Sequence, residues 1–514
     1  MVSAVSAQMT DVTQTFPHPP GSAIGKSLSE QIGAGHGDAN LPGTSSYVIE
    51  RDPYRSIRRG RQIFQRKFTD EQGLGPRVSA HSSGDISENP GLGAGLADSC
   101  AACHGRPRGA AGFGGAVATR PDSRDAPHLF GLGLQEMIAD EMTRRLRQIR
   151  SRAVVEAAAR SAPRTRRLRS KGVDFGRLTA FPDGRVDSSR VEGVDEDLRV
   201  KPFFAQGGTI SIREFIIGAF SAEMGMEAWD PVLCAATDPV NPVLAESPAG
   251  FVFDPAIDSF ERPPLCDSRT DGDQDGVVSE IDPALVDHLE FYLLNYFKPG
   301  TGQMTARARQ GRALLHDIGC TSCHKPHIRV NEDRRVADVE TRFNPRKGIL
   351  NRLYAEAEPR IVVVDDGRAT PKQLPSGEIF WVRNIYSDFK RHDLGPFFHE
   401  RNHDGSVTTH FMTEPLWGVG STAPYGHDGR SINLEEVIRR HGGEAKASRT
   451  AYAHLPHNDQ RKIVEFLQAL VLFPPDDTAS NLNPGVPGTD NPQDPSQHGS
   501  INLGALFVNP GTPE

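Results

Sequence analysis

Four of the six cysteines fall in two pentapeptides, Cys100-Ala-Ala-Cys103-His104 and Cys320-Thr-Ser-Cys323-His324. Both have the C-x-x-C-H spacing. Two thiols so spaced can add across the two vinyl groups of one haem, and the next residue then supplies the proximal imidazole to its iron. A zinc site with four cysteine ligands or a thioredoxin-type pair also uses C-x-x-C. Neither requires a histidine directly after the second cysteine, and no βαβ pattern surrounds either copy. The expected cofactors are therefore two haems c, on Cys100/Cys103 with His104 and on Cys320/Cys323 with His324.

The flanking sequence supplies elements to hold each motif. Thr305–Asp317 reads as a helix with Ala306, Ala313, Leu314 and Ile318 on an apolar side, ending at Gly319. After the motif, Asn458 or Asp459 can cap a helix containing Ile463, Val464, Phe466, Leu467 and Leu470. Ile57–Phe68 stands in the same relation to the first motif. The expected fold is mainly α, with two cytochrome c-like haem domains, long loops and few short strands. Its parts are an irregular arm over 1–50, a first haem domain over 51–300, a second over 301–475 and a flexible tail over 476–514. Within the first domain, 140–200 reads as a basic insertion, with Arg144–Arg169 dense in arginine and Glu141–Ala159 helical. The bland reading is a solvated face paired with nearby acids; the sharper one is a docking patch for an acidic redox partner.

Composition excludes other classes. The formal net charge of −8 removes the electrostatic case for a nucleic-acid partner. Apolar runs such as Ala469–Phe473 fall far short of the ~18–20 residues of a membrane span. With 51 Gly and 39 Pro, long loops are expected around a modest frame. Met1–Glu30 has neither a basic n-region nor an apolar h-region, so no signal peptide is read there. A periplasmic or otherwise exported location is inferred from haem c attachment alone.

Asp271-Gly-Asp273-Gln-Asp275-Gly276-Val277-Val278-Ser279-Glu280-Ile281-Asp282 follows EF-hand spacing. Carboxylates stand at positions 1, 3 and 5, glycine at 6, the Val277 carbonyl at 7, Ser279 at 9 and Asp282 at 12. Asp in place of Glu at the last position shortens the bidentate arm and weakens calcium binding. The alternative is an acidic surface turn before a helix over Pro283–Phe297. Cys234 and Cys266 remain as a pair. Outside the cytoplasm they are expected to form a disulfide, and otherwise to be two buried free cysteines.

The chain resembles the bacterial dihaem cytochrome c peroxidase and MauG superfamily, and most nearly its dihaem oxidoreductase branch. Beyond the two haem pentapeptides, the stretches that carry the resemblance are Arg124–Glu136, Glu223-Met-Gly225, His392-Asp-Leu-Gly395, Glu414-Pro-Leu-Trp-Gly418, Pro424–Arg430 and Leu434–Ala445. They run in order over roughly 55–475. The resemblance implies that the N-terminal haem meets peroxide and the C-terminal haem transfers electrons. The sixth ligand of the second haem falls on His441, where the peroxidases carry Met, and Leu434–His441 itself reads as an amphipathic helix. The alternative for His441 is a helix-ending residue beside Gly442-Gly443; His427, His392, His410 and Met412 are the reserve ligands. No His lies between His104 and His128, so the first iron is expected to keep an open distal side, unless His128 binds it.

The family's distal glutamate matches Glu223, a candidate general acid–base for peroxide, with Glu136 as the alternative carboxylate. Phe203 or Phe204 stands where the family often has a Trp between the haems, which speaks against a Trp-radical relay there. Met412 replaces a common basic residue. The family's structural calcium maps onto Asp125, Thr422 and Pro424, a second candidate calcium site beside the bland reading of turn chemistry. The main expectation is a dihaem c-type oxidoreductase, a peroxidase that reduces hydrogen peroxide. Its electron donor would be a small redox protein, a cytochrome or a cupredoxin. The other expectations are an electron-transfer cytochrome with both irons six-coordinate, and a MauG-like or rubber-oxygenase-like enzyme acting on a protein or organic substrate.

Overall fold

A computed structural model describes residues 36–66, 68, 97, 99–104, 125–263, 265–267, 279–296, 298–343, 353–402, 404–472 and 501–502. Among them, α-helices span Ser45–Arg51, Pro53–Gln65, Cys100–Cys103, Leu132–Arg160, Ile212–Ala222, Pro231–Ala236, Pro283–Leu294, Ala306–Asp317, Leu434–Arg440, Lys446–His454 and His457–Gln468. The strands are more numerous than the sequence suggests. They form small sheets of two or three strands, none of them closed, and the longest strand is Val173–Ala180. Most are short hairpins, such as Lys372–Pro375 on Ile361–Val364, which the expectation of loops absorbed.

Each haem motif follows a helix that is pinned to a later helix through a glycine. Pro53–Gln65 starts on Asp52, whose Oδ1 accepts from Arg55 N at 3.2 Å, with Pro53 in the first turn. A Cβ at Gly60 would overlap the His288 carbonyl oxygen, so the approach to Pro283–Leu294 requires glycine. Ala306–Asp317 starts on Thr305, whose Oγ1 accepts from Ala308 N at 3.0 Å. There a Cβ at Gly311 would overlap the Lys462 carbonyl oxygen. Its partner helix begins at His457, slightly before the expected Asn458 or Asp459 cap.

Three buried apolar clusters result. One joins Phe64, Phe68, Phe220, Leu285 and Tyr292, with Cys100, Ala101 and Cys103 packed against it. Another joins Leu315, Tyr386, Tyr452, Ile463 and Phe466, with Cys320 against it. The third gathers Met137 and Ile138 of the long helix, Phe175 and Leu178 of the inserted strands, and Ile328, Val382, Ile385 and Trp417. The basic insertion therefore has its own core, shared with residues that follow the second motif.

The expected helix over Glu141–Ala159 is present, and the rest of the insertion is a sheet that the sequence reading did not specify. The helix runs over Leu132–Arg160, and the chain then folds into an antiparallel sheet of Arg164–Ser170, Val173–Ala180 and Val186–Asp187. Leu168 and Ser170 point inward while Arg166, Arg167 and Arg169 face solvent, the period-two pattern of a half-buried strand. Several of its cations are paired: Arg166 with Glu156, Arg167 with Asp174, and Arg147 with Asp258 at 2.7 Å.

Two end regions are corrected in part. Within the expected arm, Ser45–Arg51 is a helix that docks through Ser45 Oγ and His36 Nδ1 on the buried Asp287 carboxylate. Within the expected tail, Ile501–Asn502 pairs in parallel with Leu353–Pro359; the rest of 476–514 lies outside the described residues. Cys234 and Cys266 form a disulfide with a Cα–Cα distance of 5.3 Å.

Candidate dihaem site

At the first motif, Cys100–Cys103 makes a single helical turn, closed by Ala102 N on Ser99 O at 3.0 Å and His104 N on Cys100 O at 3.0 Å. Three residues apart on that turn, the two sulfurs share a side. His104 Nδ1 lies 2.8 Å from the Pro127 carbonyl oxygen. A carbonyl only accepts, so Nδ1 carries the hydrogen and Nε2 keeps the lone pair a metal needs. Phe215 packs 6.3 Å away, centroid to centroid. Burial pushes the Cys100 thiol up to about 12 and lowers the His104 pKa. Neutral sulfur and neutral imidazole in an apolar seat fit a thioether-linked macrocycle with its proximal nitrogen.

The second motif repeats the arrangement. Gly319 ends the preceding helix at φ 86°, Cys320–Ser322 forms one 3-10 turn, and His324 Nδ1 lies 2.9 Å from the Tyr386 carbonyl oxygen. His441 caps the end of Leu434–Arg440, and its Nδ1 lies 2.7 Å from the Val437 carbonyl oxygen, again leaving Nε2 as the basic nitrogen. Burial pushes His441 down to about 4, and the nearby His324 and Arg440 act in the same direction. The ring of Phe398 meets His441 edge-on at 5.3 Å. Arg440, the neighbouring residue, is held by Asp428 Oδ2 at 2.6 Å and by Phe397 O at 2.8 Å. Gly442 N bonds Leu394 O at 2.8 Å, which brings the His392–Gly395 segment beside the axial candidate.

The reserve ligands are engaged elsewhere. His128 accepts from Phe130 N at Nδ1 (3.2 Å) and donates from Nε2 to Trp417 O (2.9 Å), so it has no lone pair for iron. His392 spends both nitrogens on carboxylates, Nε2 on Asp388 at 3.0 Å and Nδ1 on Glu444 at 2.8 Å. Burial opposes its charge, but the hydrogen bond to Asp388 raises its pKa. One Cys323, Asp388 and His392 ligand atom each lie within 4.8 Å of one another. Both His392 nitrogens hold carboxylates and Cys323 belongs to the second haem pentapeptide, so the trio is read as part of the surround of that site. His427 stacks on Phe411 at 4.0 Å with Nε2 3.5 Å from Glu400, His410 is exposed beside Thr409, and Met412 is buried in the third cluster.

Glu223 is the C-cap of Ile212–Ala222, the helix that sets Phe215 against His104. Its carbonyl accepts from Ala97 N at 3.1 Å, tying it to the segment entering the first motif, and its side chain is half-buried. Glu136 is committed to structure. Its Oε2 accepts from Ile212 N at 2.6 Å, its Oε1 pairs with Arg334 at 2.9 Å, and burial pushes its pKa to about 8. Phe203 and Phe204 do lie near the first motif, 6.1 and 5.2 Å from Phe215.

Of the EF-hand-like loop, Asp271, Asp273, Asp275 and Val277 lie outside the described residues. The described pair is used by the fold: Ser279 Oγ accepts from Trp229 N at 3.2 Å, and Asp282 Oδ1 caps Pro283–Leu294 through Ala284 N at 2.9 Å. At the second candidate site, a Cβ on Gly429 would meet Asp125 Cβ and Pro424 Cγ, each at 3.3 Å, so these two residues flank one point. Thr422 precedes the cis Ala423–Pro424 bond. Sequence reasoning missed the three main-chain carbonyls that orient the imidazoles, at Pro127, Tyr386 and Val437. A carbonyl carries no side-chain signature.

No curated protein matches the chain. A solved structure of hydrazine synthase from Kuenenia stuttgartiensis is similar at 15% identity and a TM-score of 0.22, covering 37% of this chain. The match spans 56% of that chain's length. Residues 375–470, which hold His392, the Glu414–Gly418 stretch and His441, match the family described as "Di-haem oxidoreductase, putative peroxidase", and so support a dihaem oxidoreductase.

Proposed function

We propose that the chain is an exported dihaem c-type oxidoreductase that reduces hydrogen peroxide at the site of Cys100, Cys103 and His104. Electrons would enter at the site of Cys320, Cys323, His324 and His441, from a small cytochrome or cupredoxin. The observation that carries this reading is the shared tautomer of three imidazoles. His104, His324 and His441 each fix Nδ1–H on a carbonyl, two of them behind C-x-x-C and the third close to His324. Haem bound there supplies one-electron redox chemistry and an iron on which peroxide can bind.

The protein's part is positional and protonic. With both His128 nitrogens satisfied, that imidazole does not compete for the first site, in keeping with an open distal side. Glu223 would take the proton from the near oxygen of peroxide and return it to the leaving oxygen. Two electrons and two further protons complete the conversion of one peroxide to two waters. Calcium at Asp125, Thr422 and Pro424, and at the loop ending in Asp282, belongs to this reading as a structural element.

An EPR spectrum of the ferric protein tests it. One high-spin and one low-spin signal are expected, from an open His104 site and a His324/His441 site. Two low-spin signals would favour the electron-transfer cytochrome. Oxygen consumption without peroxide would favour the oxygenase.

A further inference from the structure

His128 is a half-buried imidazole that the peroxide chemistry does not use, yet it is placed between the two motifs. From His104, Nδ1–H reaches the Pro127 carbonyl oxygen at 2.8 Å. His128 is the next residue, and its Nε2–H reaches the Trp417 carbonyl oxygen at 2.9 Å. One residue back, Leu416 N donates to the Ile385 carbonyl oxygen at 3.0 Å. The next carbonyl, that of Tyr386, accepts His324 Nδ1–H at 2.9 Å. The chain from imidazole to imidazole thus alternates hydrogen bonds with the two-residue segments Pro127–His128, Leu416–Trp417 and Ile385–Tyr386.

Each link is held by its surroundings. Phe130 N–H on His128 Nδ1, at 3.2 Å, fixes which nitrogen donates, so the ring has a single orientation and tautomer. Trp417 is 2% exposed, and Ile385 is fully buried. A leucine at 128 would fill the space without the desolvation cost of an imidazole, so the polarity itself serves some end. The competing route is aromatic, through Phe215, Phe203 and Phe204. Among the described residues, no ring-to-ring contact continues it to His324 or His441, and Phe204 is 37% exposed.

We propose that His128 is a positioning residue that couples the two haem sites, its Nε2–H closing a hydrogen-bonded electron path from His324 to His104. The inference rests on the dihaem reading. One electron, supplied by the donor, leaves the site held by His324 and enters the site held by His104. No proton crosses, because every donor along the path keeps its hydrogen.

The test uses the full-length protein carrying both haems, counted first by the pyridine haemochrome assay. Fewer than two haems c would overturn the dihaem reading and the path with it. Flash reduction by a ruthenium photosensitiser then gives the rate at which the electron equilibrates between sites. His128→Phe should slow that rate by a factor on the order of 10. His128→Gln keeps an N–H for the Trp417 carbonyl and should restore most of it, and Phe204→Leu should leave it unchanged. An unchanged rate in His128→Phe, or an equal slowing in Phe204→Leu, overturns the path. A second measurement needs no variant: His128 imidazole nitrogens in the wild-type protein should show contact-shifted NMR signals when the His104 site is oxidised. Signals shifted only by the through-space dipolar contribution would contradict the proposal.

Discussion

Replacing Arg213 by Met tests how the helix beneath the first site is held. The guanidinium is fully buried and meets Asp230 at 2.6 Å, Asp287 at 2.7 Å and Glu290 at 2.9 Å, all inside the protein. It ties Ile212–Ala222, which carries Phe215 and ends at Glu223, to Pro283–Leu294. Burial would raise Asp287, but His36 and Arg213 hold it at about 2, below its ordinary 3.8. Burial pushes Glu290 from 4.5 up to about 7 against the pull of Arg213. On linkage arithmetic Asp287 then stabilises by about 2 kcal/mol at neutral pH, while an ionised Glu290 costs about 3 kcal/mol. The two shifts act in opposite directions, and the geometry of the cluster locates the helix.

Removing the cation takes the shared charge from three buried carboxylates, of which Asp287 keeps His36, and a loss of about 3–5 kcal/mol is expected at pH 7. The sign with pH follows from the two shifts. The contribution of Glu290 is complete below about 4.5 and is lost as pH rises through about 7. The contribution of Asp287 is present above about 3.8 and is lost as pH falls toward about 2. In the variant Glu290 moves higher still, so at pH 5 it is protonated and the penalty is smaller. Urea denaturation of wild type and Arg213→Met at pH 5 and pH 7, followed by far-UV circular dichroism, reads both quantities. A loss under about 1 kcal/mol, or an equal loss at the two pH values, would show that the carboxylates do not depend on this cation.

Three further outcomes are expected. Gly311→Ala drives a methyl against the Lys462 carbonyl and should cost about 1–3 kcal/mol by overpacking, seen as a lowered melting temperature; an unchanged melt would mean the helix pair is loosely seated. Cys234→Ser with Cys266→Ser opens a loop of sequence separation 32 and should cost about 2–4 kcal/mol, read by denaturation with and without reductant. His441→Met should raise the potential of one haem in a redox titration and leave the other in place, whereas two unchanged potentials would remove His441 from the iron.

Much of the site was legible because its chemistry is local. C-x-x-C-H fixes sulfurs and imidazole within one turn, and Thr305 and Gly319 bracket the helix before the second motif as capping rules demand. The helix over Leu434–Arg440 that ends at His441 is read from its pattern, whereas the axial role of His441 comes from the resemblance. What escaped depends on partners distant in sequence. Gly60 and Gly311 look like weak points inside helices until His288 and Lys462 are packed against them. Arg164–Ser170 carries four arginines and one apolar residue, too little alternation to announce a strand until Leu168 is buried against the long helix. Asp282 fits the last position of a calcium loop by spacing, and its Oδ1 also caps the next helix through Ala284 N, a second use that the spacing does not reveal.

Peroxide reduction at the His104 site, with Glu223 handling the proton, stands or falls on one comparison. Steady-state turnover of hydrogen peroxide with a reduced donor is measured for wild type, Glu223→Gln and Glu136→Gln. Expected are turnover by the wild type, a loss of about 10²–10⁴-fold in Glu223→Gln, and activity retained in folded Glu136→Gln. No turnover by a wild-type protein carrying both haems, or a Glu223→Gln variant as fast as wild type, would contradict the assignment.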